Sequence, residues 1–429
     1  MVGVNRVDIT PEIGAYLYGY NPDTISDSIN DRLTATAIAF QYGSTCVLLI
    51  SATVCLINTE LSNNIRKQIS KVSAIPETNI ILSSTHTHSG PRTNGTTGWG
   101  DIDTEYCNKI FIPQIIKAAK GALNSLKPAK IGVGTTDSYV GINRRQYDAD
   151  GIIKLGQNPW GIFDKTMTVL SIKGEDDIPI ANIIHYGAHC TAAGNNIEIS
   201  RDWPGVMIDR LEKQSGAITA FFNGAEGDVG PRLTNGATVG NIDYVMELGA
   251  VAAQDALRAY KTIKEYKSVS VDCVAEIIKL PYEPRIPLVE AEERISLLTN
   301  TTVNTGGLKH YYLSNVIASY KAGESEKTHM EIPQSIIRIG EVVYIPFPFE
   351  MFSEMSIRLR HYSPYTHTLC LSNTNGSNGY LPSQDQICRG GYEIEVFMHQ
   401  NVQQLTNDVD NHIINENLKM LNEMQRHSS

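Results

Sequence analysis

Residues 46–55 read CVLLISATVC, a largely apolar run of strand length that reads as a buried strand. Residues 59–72 switch to a 3.6-residue period, with Leu61, Ile65, Ile69 and Val72 on one face and Thr59 as the expected N-cap. Residues 79–82 return to a strand pattern, which completes a βαβ unit and predicts two parallel strands. A second helix is expected over 103–126, ending before Pro128. A hairpin is expected over 166–172 and 178–186, turning at Gly174-Glu-Asp-Asp177. Residues 203–214 read as a helix with Asp202 as N-cap and Pro204 in its first turn, and 217–222 as a strand feeding a polar loop over 223–232. Further on, the pattern predicts a helix over 243–264, a hairpin over 335–345 around Gly340, a helix over 352–360, a strand over 368–372 and a closing helix over 400–424. A helical insertion is expected over 286–330. No internal repeat or dividing linker is visible. The expected fold is α/β of the mixed α+β kind, a mixed β-sheet core covered by helices, with 1–429 as one domain.

Composition narrows the function classes. The 429-residue chain is 41% hydrophobic and 19% charged, and no stretch approaches the ~18 continuous apolar residues that span a bilayer. A net charge of −10 argues against nucleic acid and against stable association with anionic membranes, which leaves a small-molecule substrate as the expected partner. The first residues lack a basic segment followed by an apolar one, so a cytoplasmic location is expected. The seven cysteines are scattered without Cys-x-x-Cys spacing and read as reduced structural thiols.

Candidate chemistry sits where strands end. The run Ser84-Thr85-His86-Thr87-His88-Ser89-Gly90-Pro91 follows a strand, and on an extended backbone His86 and His88 face the same side. Such a pair suits a divalent metal, and equally suits hydrogen-bonded strand-end histidines. His185 and His189 have i, i+4 spacing, but Gly187 and the preceding β pattern argue against a helix there. Extended, the two lie about 13 Å apart, so one metal cannot use both. His189, nearer the loop, is the candidate. Arg144, in Asn143-Arg144-Arg145, could present a guanidinium to an oxyanion. Glu350 ends an apolar strand, where a helix-capping role is the alternative.

Taken together, these loops resemble the catalytic domain of the neutral, non-lysosomal ceramidase family. The stretches that carry the resemblance are Val7-Asp-Ile-Thr-Pro11, His86-Thr-His88-Ser-Gly-Pro91, Ile142-Asn-Arg144 and His189 ahead of Ser200-Arg-Asp202-Trp-Pro-Gly205. Asn223-Gly-Ala-Glu-Gly-Asp228-Val-Gly-Pro231, Glu350, Tyr380 and Tyr392-Glu393 complete the set. The resemblance implies one Zn2+ held by His86, His189, Glu350 and Tyr380. It places His88, Arg144 and Tyr392 beside the metal as catalytic or hydrogen-bonding groups.

The chain also departs from the family. Where ceramidases carry a serine proposed as nucleophile, this chain has Gly230, so hydrolysis is expected through zinc-bound water. The immunoglobulin-like domain that follows the catalytic domain in ceramidases is not expected here, nor is an amphipathic anchor. The polar loop over 92–101, with Trp99, would suit a sugar-like or other polar ligand. The expectation is a zinc-dependent hydrolase acting on an amide or related bond of a small polar substrate. The alternatives are a zinc enzyme of another reaction type on a sugar-like substrate, and a catalytically retired metal-binding protein.

Overall fold

A computed structural model describes residues 1–96, 98–298 and 306–428. Its architecture is one unit written three times. Each unit is an antiparallel three-stranded meander, a helix, a fourth strand parallel to the third, and a second helix. The first unit comprises strands Val2–Asp8, Thr34–Tyr42 and Thr45–Ala52, helix Thr59–Ser73, strand Ile80–Ser84 and helix Ile112–Asn124. The second comprises Ala129–Asp137, Thr166–Gly174 and Pro179–Tyr186, helix Trp203–Ser215, strand Ile218–Asn223 and helix Ile242–Thr262. The third comprises Val271–Pro281, His329–Ile339 and Val342–Pro346, helix Ser353–Tyr362, strand His367–Leu371 and helix Val409–Ser428. The repeat lies in topology alone. Strand pairing requires only a period-2 apolar pattern, which residues as different as those of the three sheets satisfy, so the sequence shows none.

The three sheets turn one face toward a shared interior, where Phe40 and Ile81, Leu170 and Phe222, and Tyr344 and Leu369 meet. Each outer face is covered by that unit's own two helices, through three separate apolar clusters. The result is a set of mixed sheets covered by helices. Helices Leu288–Ser296 and Gly306–Lys321 lie in the stretch expected as an insertion, between the first two strands of the third unit; residues 299–305 are outside the described residues. No helix among the described residues is long and apolar enough to cross a membrane.

Several elements differ in detail from the pattern reading. Asn58, not Thr59, caps the first helix, its Oδ1 accepting from the N–H of Glu60 and Leu61. The helix expected over 103–126 contains a π turn at Cys107–Phe111 directly before Pro113. A proline cannot donate to the preceding turn, and the wider turn absorbs the lost hydrogen bond. The closing helix expected over 400–424 begins only at Val409 and runs to Ser428, and a separate helix, Tyr392–His399, precedes the irregular chain before it.

The topology positions the site. In each unit the first, third and fourth strands run the same way, so their carboxyl ends emerge on one side of the molecule. Ligands gather at that edge in open sheets. Nine loops therefore leave toward one region, and every candidate residue lies on one of them.

Candidate metal centre and active site

His86 and His88 follow the fourth strand of the first unit. That strand ends at Ser84, and His86 has φ +69°, so the pair is not carried on extended backbone. This corrects the alternation argument: a left-handed turn, not the pleat, brings the rings together, with Nε2 atoms 3.3 Å apart. His189 follows the third strand of the second unit, Glu350 the third strand of the third, and Tyr380 the fourth. Glu350 and Tyr380 face each other as partners in a short parallel pairing. The metal-binding atoms of His86, His189 and Glu350 all lie within 4.8 Å of one another. His185 stays inside its strand, its Nε2 2.8 Å from the Cys370 carbonyl, apart from this group.

The hydrogen bonding around the cluster suits a cation. His189 Nδ1 lies 2.9 Å from the Glu226 carbonyl and 3.1 Å from that of Val229. His88 Nδ1 lies 3.2 Å from the Gly19 carbonyl, and His86 Nδ1 3.1 Å from that of Cys55. Carbonyls only accept, so each Nδ1 carries the hydrogen and each Nε2 presents a lone pair. Those lone pairs point at one another and at Glu350 Oε2, which is 3.1 Å from His189 Nε2 and 3.5 Å from His86 Nε2. Glu350 Oε2 is buried without a hydrogen-bond donor among the described residues. Buried acceptors facing acceptors are costly, and a divalent ion removes the conflict.

The electrostatics agree. Burial pushes His86 and His189 down to about 4 and His88 to about 3, so all three are neutral near pH 7. Burial works against the charge on Glu350, but the carboxyl is held well below its usual range because a proton entering the cluster goes to His86 or His189 first. Two neutral imidazoles and a carboxylate are ordinary zinc donors. The Cys55 thiol lies 3.7 Å from His86 Nδ1, and burial keeps it protonated.

A second network braces this group. Arg144 donates through Nη2 to the Tyr380 hydroxyl at 2.8 Å and through Nε to Glu393 at 2.8 Å. Arg145 Nη1 reaches the other oxygen of Glu393 at 2.7 Å. Tyr392 stacks edge-on against Tyr380 at 5.8 Å. Trp99 stands 6.0 Å from the His88 ring and 5.2 Å from that of Tyr18, on the loop expected to line the pocket; Thr97 of that loop is outside the described residues.

The order of these parts along the chain matches a known pattern. The profile of the neutral/alkaline non-lysosomal ceramidase N-terminal region matches residues 1–246. The chain belongs to that family. Neutral ceramidase B of Dictyostelium discoideum is 31% identical over 265 residues, 55% of this chain and 36% of the relative. Neutral ceramidase A of the same organism is 30% identical over 267 residues, with the same coverage. The matched part is thus little more than a third of those relatives' length. The crystal structure of neutral ceramidase from Pseudomonas aeruginosa superposes with a TM-score of 0.77 at 18% identity, covering 99% of this chain and 74% of that one. A ceramidase complexed with C2 gives a TM-score of 0.75 at 16% identity, covering 99% and 75%. At such identities the likeness establishes the fold.

Gly230, where the family serine is expected, lies in strand Val229–Pro231, paired with Gly141–Asn143. A Cβ there would come within 2.5 Å of the Thr238 Cβ. The position is closed to a side chain in this conformation.

The motif reading passed over four residues that the structure brings in. Glu226 Oε1 accepts from Asn373 Nδ2 at 2.6 Å, and Asn373 Nδ2 lies 3.2 Å from His86 Nδ1. Glu393 balances two buried guanidiniums, and Tyr20 stands against His88. Glu226 and Glu393 lie inside motifs already quoted. Their adjacency to charged groups far away in sequence was the missing signal.

Proposed function

We propose that this protein is a zinc-dependent hydrolase of the ceramidase type that cleaves the N-acyl bond of a small polar substrate through water. The reading rests on one observation: the metal-binding atoms of His86, His189 and Glu350 converge within 4.8 Å of one another in a buried site. Tyr380, paired in register with Glu350, completes the donor set. When bound, zinc supplies a Lewis acid that polarises a carbonyl and acidifies water at neutral pH.

The chain's own residues supply the rest. Arg144 is buried and stays charged, because Tyr380, Glu393 and Glu350 outweigh the cost of its burial. It provides fixed positive charge for the oxyanion that develops on the attacked carbonyl. His88, oriented by the Gly19 carbonyl, stands 3.3 Å from His86 as a neutral imidazole able to take or return a proton. Gly230 offers no hydroxyl, and its packing against Thr238 leaves no room for one, which supports attack by water over a covalent route.

The test is zinc analysis of the purified protein, followed by hydrolysis assays on short N-acyl amines, N-acetyl amino sugars and long-chain ceramide, before and after chelation. About one zinc per chain and chelator-sensitive release of the acyl group from the compact amides are expected, with ceramide turned over poorly. A protein that holds no zinc, or one that forms a covalent acyl adduct, refutes the proposal.

A further inference from the structure

The loop between the first two strands of the first unit holds a group that the reaction as described does not use. The equivalent loop of the second unit delivers Arg144 to the site. In the first unit this loop carries Tyr18-Gly19-Tyr20 and is tied to the histidine loop by the hydrogen bond from the Tyr18 N–H to the Gly90 carbonyl and by the bridge between Leu17 and Pro91. Gly19 has φ +126°, and a Cβ there would come within 2.3 Å of His88 Nδ1. Only glycine lets the chain wrap this closely around the imidazole. Its carbonyl then orients His88, and the next residue, Tyr20, is laid against the same ring with centroids 5.0 Å apart.

Tyr18 and Tyr20 end up in different situations. The Tyr18 hydroxyl is satisfied by Thr96 and by Asn94 Nδ2. The Tyr20 hydroxyl is buried and has no hydrogen-bond partner among the described residues. A buried, unpaired phenol costs about 1–3 kcal/mol, so such groups in native proteins call for a partner. Burial, with Asp202 and Cys55 nearby, keeps the phenol protonated and therefore a donor. Tyr20 and His88 border one tight crevice with Tyr18, Thr24 and Asn196.

We propose that Tyr20 is a substrate-binding residue, donating a hydrogen bond to an oxygen of a compact N-acyl compound held beside His88. This rests on the metal-centre reading and deepens it, because it limits the group next to the scissile bond to something small and hydrogen-bonding. A hydrocarbon chain in that place would leave the phenol unpaired and be disfavoured.

Acetohydroxamic acid is a suitable probe, being a small N-acyl compound that chelates zinc and presents oxygens to neighbouring donors. Its affinity for the zinc-loaded full-length protein is measured by titration calorimetry, alongside zinc affinity by competition with a chromophoric chelator. Tyr20→Phe removes only the unpaired oxygen, so fold and zinc affinity should be retained while hydroxamate binding weakens about tenfold. Tyr42→Phe, on an exposed strand end, should match the parent. Hydroxamate affinity within twofold of the parent in Tyr20→Phe overturns the assignment. So does an equal loss of zinc affinity, which would make Tyr20 a support for the metal instead of a contact to the ligand. If the parent takes up no zinc, or takes up zinc but binds no hydroxamate, the metal-centre reading itself fails and Tyr20 falls with it.

Discussion

Replacing Glu393 with Gln tests the network that holds the catalytic side of the site. Glu393 is wholly buried and is shared by Arg144 and Arg145, whose side chains are 7% and 2% exposed. The substitution keeps the shape and one carbonyl oxygen but removes the charge that balances two buried cations. Breaking a buried ion pair from one side costs about 3–5 kcal/mol, because the remaining charge stays desolvated. Both arginines keep other acceptors, Arg144 the Tyr380 hydroxyl at 2.8 Å and Arg145 the Gly390 carbonyl at 2.6 Å. The lower end, about 3 kcal/mol, is therefore expected in urea unfolding of the metal-free protein. Because the groups are buried, raising the salt concentration to 1 M should leave the difference unchanged, whereas it would shrink for surface pairs. Arg144 also tethers Tyr380, so zinc affinity should fall roughly 10–100-fold. A double-mutant cycle with Arg145→Met should show coupling above about 1 kcal/mol, since the second change removes one of the stranded charges. A loss of stability under about 1 kcal/mol with unchanged zinc affinity would refute the view that Glu393 organises the site.

Three further outcomes are expected. His86→Ala and His189→Ala should each lose most of the bound metal while His185→Ala keeps it, as read by elemental analysis; unchanged metal in the first two would remove them as ligands. In the metal-free protein the three site histidines should withdraw stability as pH falls from 6.5 toward 4. His86, His88 and His189 bind protons near 6.5 when unfolded but only near 3–4 when folded, so the unfolded state takes up protons first. Asp202 and Asp228, raised by burial to about 6, and Glu226, raised further, act in the opposite direction, so the histidine share is read as the difference between the parent and His88→Gln; a thermal midpoint with the same pH dependence in both would contradict it. Gly230→Ser should destabilise by about 1–3 kcal/mol through its clash with Thr238 and add no activity; Thr238→Ala in the same chain should recover much of the stability, and a serine variant as stable as the parent would contradict the packing.

Some of this protein is legible in the residue pattern because the physics is local. The strand at Thr45–Ala52, the hairpin at Thr166–Gly174 and Pro179–Tyr186, and the helix capped by Asp202 follow from period, turn residues and capping chemistry, none of which needs distant chain. The His-Thr-His-Ser-Gly-Pro and Gly-Asp-Val runs are similarly local, and they were enough to bring out the family. Other features depend on neighbours that the sequence holds far apart. The three repeated units share a topology without sharing residues, since packing constrains burial and direction more than identity. The left-handed turn at His86 is set by the chain around it: its N–H bonds to the Val54 carbonyl, and its ring faces Cys55 and Asn373. Glu226 and Glu393 read alone as ordinary carboxylates. Tertiary packing sets one against Asn373 behind His86 and the other between two guanidiniums. Tyr20 reads as one tyrosine among twenty, and only the fold leaves its hydroxyl buried and unpaired. Local chemistry is written along the chain, whereas burial and charge balance are properties of groups that meet only after folding.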